Sequence, residues 1–345
     1  MELSSPGSWT LLQGSLVFFV CAAIIALAGT RITRVVDQLA DRTGIGEAAA
    51  GAVLLGASTS LGGSVLSVTA AWHGNAELAV SNALGGIAVQ TFFLAVADMV
   101  YRRANLEHAA ASVPNMMQNG LLICLLALIL FAPHLPDVTF FGVHPVTPVL
   151  LGAYIYGIYL VRDASESPMW RPSITRDTRQ DEPDDVTAMP PLLRLWIEFL
   201  ALMLVLGIAG WMLEPAATVI ADRANLSQTI VGVMLTAIST SIPELVTSIA
   251  AVRRGALTLA VSGIIGGNAF DTLFTAASDI AYRDGSIYHA MPEDSVFWAA
   301  LTLLMSGVLM MGLIRRERHG IGQIGTESVV IMVLYLLGVV LLLAG

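Results

Sequence analysis

Apolar residues are grouped along the chain into ten long runs that are separated by shorter polar stretches. A helix that crosses the hydrocarbon core of a bilayer needs about 20 predominantly apolar residues. The runs cover roughly residues 11–29, 47–72, 76–101, 113–132, 145–161, 193–213, 227–252, 256–281, 294–314 and 327–344. This pattern predicts an all-α polytopic membrane protein with ten transmembrane helices.

One long polar stretch interrupts the pattern at its middle, with five apolar runs before it and five after it. It contains five prolines and charges of both signs, a composition that is typical of a flexible linker. We therefore predict a first five-helix half over residues 1–161, a linker over 162–192 and a second half over 193–345.

The composition excludes several classes of protein. Of the 345 residues, 56% are apolar and 12% are charged, whereas soluble domains carry about 25% charged residues. Disorder and an ordinary soluble enzyme are therefore excluded. The chain shows no nucleotide-binding loop and no nucleophile beside a base, so we expect no enzyme. It has no basic stripe for nucleic acid, and its predicted partner is the lipid bilayer.

The basic residues predict how the chain is oriented in the membrane. All 17 are arginines, and only Arg223 and Arg283 fall on one side of the predicted helices, with the other fifteen on the opposite side. Cytoplasmic loops carry the excess of positive charge in membrane proteins. We therefore predict an inner (plasma) membrane protein with both termini outside and a cytoplasmic linker.

An internal repeat relates the two halves. Residues 41–102 align without a gap to residues 222–283, with 24 of 62 positions identical at an offset of 181. Five helices in each half make the two copies face opposite ways across the membrane. Inverted repeats are typical of secondary transporters, whose substrate site lies near the midplane where the repeats meet. We therefore predict two inverted five-helix repeats.

The second repeat contains the residues that indicate a cation site. Pro243 removes a backbone hydrogen bond and frees nearby carbonyl oxygens, while Glu244 lies near the bilayer centre, where an ionisable residue is a functional candidate. In the next helix Asn268 and Asp271 are three positions apart and share a face. Such hard oxygen ligands suit Ca²⁺, Na⁺ or Mg²⁺. We predict Glu244 and Asp271 as the charged metal ligands.

These segments resemble the second α-repeat of the cation/calcium antiporter superfamily, the sodium/calcium exchangers. That family pairs a Thr-Ser-x-Pro-Glu helix with a Gly-Ser-Asn-x-x-Asn/Asp helix, and here the matching segments are 239–248 and 266–271. The resemblance implies exchange of Ca²⁺ for Na⁺ or H⁺ by alternating access, with the transported ions as the only ligands and no resident cofactor. It implies these cation-binding residues: Thr240, Ser241, Glu244, Asp271, Thr59, Ser60 and Gln90, to which our own analysis adds Asn268.

The first repeat departs from the family pattern. Gly62 and Gly63 replace its Pro-Glu pair, so one of two facing glutamates is absent. Fewer anionic ligands lower the affinity for a divalent ion. Two alternatives to a calcium antiporter therefore stay open: an antiporter for another cation, monovalent or divalent such as Mg²⁺, and a cation-binding sensor or subunit that does not transport. We predict helix breaks at Pro243, Gly62, Gly63, Gly266 and Gly267.

Three further carboxylates are predicted to form local ion pairs. Asp98 and Asp279 occupy matched positions near helix ends beside Tyr-Arg pairs. Glu198 follows Arg194 by one helical turn, the spacing of an i,i+4 pair.

Overall fold

The computed structural model describes residues 9–43, 56–101, 103–173, 190–320 and 324–344. These residues are almost entirely helical. We number the long helices α1 Leu11–Thr43, α2 in two pieces Gly56–Thr59 and Leu61–Trp72, α3 Ala76–Val100, α4 Val113–Phe131, α5 Val146–Glu166, α6 Leu192–Ala224, α7 Gln228–Arg254, α8 Leu257–Ala281, α9 Glu293–Arg315 and α10 Thr326–Ala344. The predicted all-α fold with ten helices is confirmed.

Eight of the helices in the described part are long and apolar enough, by length and composition, to cross a membrane. The described part of α2 is shorter because the first half of its predicted run lies outside the described residues. Helix α5 has 21 residues, and its last turns carry Arg162, Asp163 and Glu166. The predicted boundaries between halves and linker stay a prediction, since residues 174–189 also lie outside the described part.

The duplication extends well beyond the segments in which sequence identity shows it. Helices α1 and α6 have 33 residues each, and they begin at Leu11 and Leu192, 181 positions apart. Helices α3 and α8 have 25 residues each and begin at Ala76 and Leu257, again 181 positions apart. The two halves therefore share one helix register over almost their whole length.

The two copies run in opposite directions. Glu77 at the start of α3 accepts a hydrogen bond from the main-chain N–H of Thr229 at the start of α7 (2.7 Å). Helix α8 begins where α7 ends, so α3 and α8 are antiparallel. We call the end of the bundle at which α7 and α9 terminate the arginine-rich end, after Arg253, Arg254, Arg315 and Arg316. The opposite end is called the far end.

Asp98 and Asp279 accept hydrogen bonds from main-chain N–H groups. Asp98 accepts the N–H groups of Leu106 (2.6 Å) and Gly325 (2.7 Å) at the arginine-rich end. Asp279 accepts those of Ile287 (3.1 Å) and His144 (2.8 Å) at the far end. The predicted ion pair was wrong for Asp279, because two loops direct their N–H groups toward its carboxylate. For Asp98 it stays a prediction, because Arg102 lies outside the described residues.

The prediction for Glu198 was also wrong. Its carboxylate pairs with Arg31 of α1 at 2.5 Å rather than with Arg194. The pair joins α1 to α6, two helices that pack side by side along their length. A partner on the neighbouring helix is therefore closer than the one a turn away on the same helix.

The helix breaks differ from those predicted. Helix α7 continues through Pro243, and α8 continues through Gly266 and Gly267. Instead, α7 contains π-helical turns at Val231–Thr236, and α2 is interrupted at Ser60. Membrane helices accommodate proline by local π adjustments, and these turns precede Pro243 by about two turns. Gly62 and Gly63 lie in regular helix just after the interruption.

Glycines allow α6 to pack closely against α2. A Cβ atom at Gly210 would overlap the carbonyl oxygen of Gly62. Small residues at such crossings let helix backbones approach each other in membranes.

We expect Gly210→Ala to destabilise the protein by about 1–3 kcal/mol, the usual range for overpacking. Gly152→Ala is the matched control, because a Cβ at Gly152 meets no atom within 4 Å. Thermal unfolding in detergent measures both variants. Equal melting temperatures for Gly210→Ala and Gly152→Ala would contradict the close crossing.

Candidate cation site

The predicted ligands of both repeats meet at the centre of the bundle, where α2, α3, α7 and α8 cross. They surround a cavity of about 10 Å³. A cavity of this volume holds about one water-sized species. It is lined by Ser60, Gly63, Asn82, Gly86, Gln90, Thr240, Ser241, Glu244, Asp271 and Phe274.

Glu244 provides the first carboxylate of this cavity. Its side chain projects from α7 and is 4% exposed. Its Oε1 accepts a hydrogen bond from the Ser60 hydroxyl at 3.4 Å, and its Oε2 has no partner among the described residues. One oxygen of Glu244 is therefore free to contact a bound ion.

Asp271 of α8 provides the second carboxylate and is 2% exposed. Its Oδ2 accepts a hydrogen bond from Gln90 Nε2 at 2.6 Å, while its Oδ1 has no partner among the described residues. Gln90 precedes Asp271 by 181 positions, so this contact joins equivalent positions of the two repeats. The same amide also donates to the Ser241 hydroxyl at 3.4 Å.

The charges of this site are uncompensated. Both carboxylates are buried, and none of the described residues that line the cavity is basic. A buried charge is costly unless it is paired or coordinates an ion. The arrangement therefore suits a bound divalent cation, or protons on the carboxyl groups.

Three other predicted ligands lie differently around the cavity. The Thr240 hydroxyl donates to the main-chain oxygen of Thr236 at 2.9 Å, so only its lone pairs remain for an ion. Thr59 lines a second, larger cavity together with Glu244. The Asn268 side chain is not among the residues that line the small cavity, because its amide donates to the Thr91 hydroxyl at 2.9 Å.

Asn82 is a lining residue that the sequence analysis missed. Its amide donates to the carbonyl oxygen of Gly63 (3.1 Å) and to the Ser67 hydroxyl (2.9 Å). Its counterpart in the second repeat is Gly263, so the two repeats do not share a polar residue at this position and their alignment does not single it out. A polar residue in the middle of an apolar helix was the available signal.

The position of the absent glutamate, Gly63, lies in the wall of the small cavity. A Cβ atom there would be 3.4 Å from Thr240 Oγ1 and 3.3 Å from the Phe274 ring. The cavity is therefore framed by glycine on the first-repeat side and by a carboxylate on the second-repeat side.

A larger cavity of about 300 Å³ reaches Glu244 from the arginine-rich end. It lies between α1, α7 and α8, and Arg34, Asp37 and Arg254 are among its lining residues. Threonine and serine hydroxyls from α1 and α7 line it further inside. In the described part of the chain, which leaves out residues 44–55, this cavity leads from Glu244 to the arginine-rich end.

The far end is held together by a contact between α6 and the turn after α2. His73 Nδ1 lies 3.3 Å from Glu214 Oε2. The equivalent positions in the other repeat are Arg254 and Thr33, and both line the open 300 Å³ cavity. The equivalent groups are in contact at the far end, whereas no hydrogen bond or ion pair joins Arg254 to Thr33 among the described residues.

Comparisons with known proteins agree with this architecture. The family model described as "Sodium/calcium exchanger protein" matches residues 14–162 and 194–344. The inner membrane protein YrbG of Escherichia coli (strain K12) is 25% identical over 279 residues, covering 80% of this chain and 82% of YrbG. The putative antiporter CaxA of Alkalimonas amylolytica is 27% identical over 260 residues, covering 73% and 76%.

Two solved structures share the fold. The H⁺/Ca²⁺ exchanger CAX superposes with a TM-score of 0.72 at 12% identity, covering 96% of this chain and 85% of CAX. The sodium-calcium exchanger NCX_Mj superposes with a TM-score of 0.59 at 16% identity, covering 95% and 97%. At these identities the likeness concerns the arrangement of the helices.

Proposed function

The chain belongs to the sodium/calcium exchanger protein family, and on that premise we propose that it exchanges Ca²⁺ for H⁺ or Na⁺ by alternating access. The family is one of membrane transporters that move inorganic cations. The observation that carries the proposal is the pair of buried carboxylates, Glu244 and Asp271, each with an unpartnered oxygen beside a one-ion cavity.

Calcium fits the charge and the size of this cavity. Glu244 and Asp271 carry two negative charges when ionised, which neutralise one divalent ion. Ca²⁺ accepts carboxylate, amide and hydroxyl oxygens in a flexible geometry, whereas Mg²⁺ gives up its hydration water reluctantly. A cavity of about 10 Å³ has no room for a hydration shell, which favours Ca²⁺ over Mg²⁺.

The same volume favours protons over sodium as the coupling ions. Several Na⁺ ions need several separate sites, and the small cavity holds about one ion. Protons need no additional volume, since each carboxyl group binds one on its own oxygen. The absent glutamate at position 63 supports a second candidate, the exchange of a monovalent cation, because it lowers the total charge of the site.

Alternating access is supported by the difference between the two ends. The central site opens toward the arginine-rich end, while the contact between His73 and Glu214 closes the far end. In an inverted repeat, exchange of the two conformations between the halves produces the opposite opening. The excess of arginine favours the cytoplasm at this end, because cytoplasmic loops carry the excess of positive charge. We therefore propose an inward-open state, with both termini outside and a cytoplasmic linker.

Flux in proteoliposomes tests the proposal. We expect ⁴⁵Ca²⁺ uptake driven by an imposed pH gradient in the wild type, and at least a tenfold loss in Glu244→Gln, which removes one of two charges. Glu166→Gln is the control, since this exposed residue at the end of α5 pairs only with Arg162 on its own helix.

Three results would contradict the calcium assignment. These are unchanged uptake in Glu244→Gln, faster uptake of another cation than of Ca²⁺, and binding of Ca²⁺ without flux. A sodium gradient replacing the pH gradient identifies the coupling ion in the same preparation.

Cysteine labelling tests the closure at the far end. Thr69 and Ala250 occupy equivalent positions in α2 and α7, and Ala250 lines the open cavity. In a background without Cys21 and Cys124, we expect a membrane-impermeant thiol reagent to label Ala250→Cys from the arginine-rich end and Thr69→Cys only weakly from the far end.

Glu214→Gln removes the charged partner of His73 at the far end. We expect it to change the ratio of Ala250→Cys labelling to Thr69→Cys labelling several-fold, in favour of Thr69→Cys. Labelling of Thr69→Cys then increases and labelling of Ala250→Cys decreases, because the closed far end loses its tie between α6 and α2. Labelling ratios that do not change with Glu214→Gln would contradict the closing role of this pair.

A further inference from the structure

The third helix of each half ends in the same hydrogen-bonded junction. At the far end, the Thr147 hydroxyl donates to Asp279 Oδ2 (2.7 Å) and lies 2.9 Å from the Tyr288 hydroxyl. We call this set, with the N–H groups of His144 and Ile287, the far-end junction. It anchors the loop after α8 and the start of α5, and its polar groups apart from Asp279 are neutral.

The arginine-rich end has the equivalent set of groups, 181 positions away. Asp98 replaces Asp279, Ser328 replaces Thr147, and the Ser328 hydroxyl donates to Glu107 Oε1 at 2.6 Å. We call this set, with the N–H groups of Leu106 and Gly325, the arginine-end junction. Glu107 therefore occupies the position of Tyr288, and a carboxyl group replaces a phenol.

The far-end junction forms without a second carboxyl group. A junction of this geometry therefore does not need the carboxyl group that Glu107 brings to the arginine-rich end. The Glu107 side chain is 4% exposed, and its Oε2 has no hydrogen-bond partner among the described residues. A Cβ atom built on Gly325 would lie 2.8 Å from this oxygen and 3.2 Å from Asp98 Oδ2. The two carboxylates thus face the same turn of the chain.

Two acidic groups of the described residues act on Glu107 through their charge. Asp98 approaches from α3 and Glu327 from the start of α10. Arg315 at the end of α9 pairs with Glu327 (3.3 Å) and with Glu317 (3.1 Å).

The remaining titratable and basic groups at this junction bond to main-chain oxygens. His108 Nδ1 lies 2.6 Å from the carbonyl oxygen of Arg316, and the Arg316 guanidinium donates to the carbonyl oxygen of His108. Burial, followed by the charge of Asp98, raises the pKa of Glu107 to about 7.

We propose that Glu107 is a proton-binding switch that controls the rigidity of the arginine-end junction. A proton on its free oxygen removes the repulsion between Glu107 and Asp98 and keeps the junction closed. Loss of that proton places two negative charges beside one turn and loosens the segments that Asp98 holds. The far-end junction has Tyr288 at this position and therefore lacks the second carboxyl group.

The expected direction follows from linkage. A carboxyl group whose pKa is raised in the folded state binds a proton that the unfolded chain has already released. The stabilisation that the bound proton gives to the junction is complete below pH 4.5, the ordinary pKa of glutamate, and is lost as the pH rises to the raised pKa of about 7. The junction therefore loosens on the alkaline side. Helix α3 connects it to Gln90 in the central cavity, although the switch does not depend on which cation binds there.

Hydrogen–deuterium exchange on the full chain in lipid nanodiscs tests the proposal. After correction for intrinsic exchange rates, we expect protection of residues 103–112 and 324–330 to fall at least fivefold between pH 6 and pH 8. Residues 142–148 and 284–291 of the far-end junction, which include His144 and His289, provide an internal comparison, and their response to pH should be the same in the wild type and in Glu107→Gln. Glu107→Gln and Glu107→Tyr should remove the pH dependence, with Glu107→Tyr reproducing the far-end arrangement.

Infrared difference spectra provide a second readout that a purely structural role would not affect. The wild type is expected to lose a carboxylic acid C=O band between pH 6 and pH 8 that Glu107→Gln lacks, while any band from Glu244 or Asp271 is common to both proteins. Glu317→Gln, which removes an acid outside the junction, should retain it. The proposal is overturned if the arginine-end junction responds equally to pH in the wild type and in Glu107→Gln, or if Glu107→Gln changes the pH response of the far-end junction as well.

Discussion

The structure depends on two carboxylates that are buried in a membrane protein without a basic partner. Glu244 and Asp271 lie at the crossing of four helices, where water is scarce and an isolated charge is expensive. Each carboxylate keeps one oxygen that no described group satisfies. A protein retains such an arrangement when a transient partner, a cation or a proton, completes it. In the proposed function, the cavity that leads from Glu244 to the arginine-rich end is the route by which that partner arrives and leaves.

The inverted repeat explains why one cavity is open and the other closed. Its register is the same in the first and third helices of the two halves, and equivalent residues occupy different environments at the two ends. His73 and Glu214 are in contact, whereas their equivalents Arg254 and Thr33 line an open cavity. The central site is also asymmetric, because Gln90 takes the place equivalent to Asp271 and Gly63 the place equivalent to Glu244. The second repeat therefore supplies all the charge of the site, and the first supplies neutral oxygens and an amide.

The sequence was sufficient to predict the ten helices, the inversion and most of the central cluster. Glu244 and Asp271 were recognisable because a carboxylate within an apolar helix has few structural uses, and Gln90 followed from the repeat and the family resemblance. The predicted positions of the helix breaks were wrong, because proline and glycine propensities do not indicate how neighbouring helices support the backbone. The hydrogen-bond partners of Asn268 and Asp98 were not predicted for a related reason. Their partners, the Thr91 hydroxyl and the main-chain N–H groups of distant loops, are set by tertiary packing and not by sequence spacing.

The central claim is that the same two carboxyl groups hold either one calcium ion or protons. Isothermal titration calorimetry in buffers with different ionisation enthalpies tests it directly, because it counts ions bound and protons released together. We expect one Ca²⁺ to bind per chain and about one to two protons to be released at pH 6, because ligands must be deprotonated to bind a metal. Asp271→Asn should release fewer protons and bind more weakly. Calcium binding without proton release, or binding that is unchanged in Asp271→Asn, would contradict it.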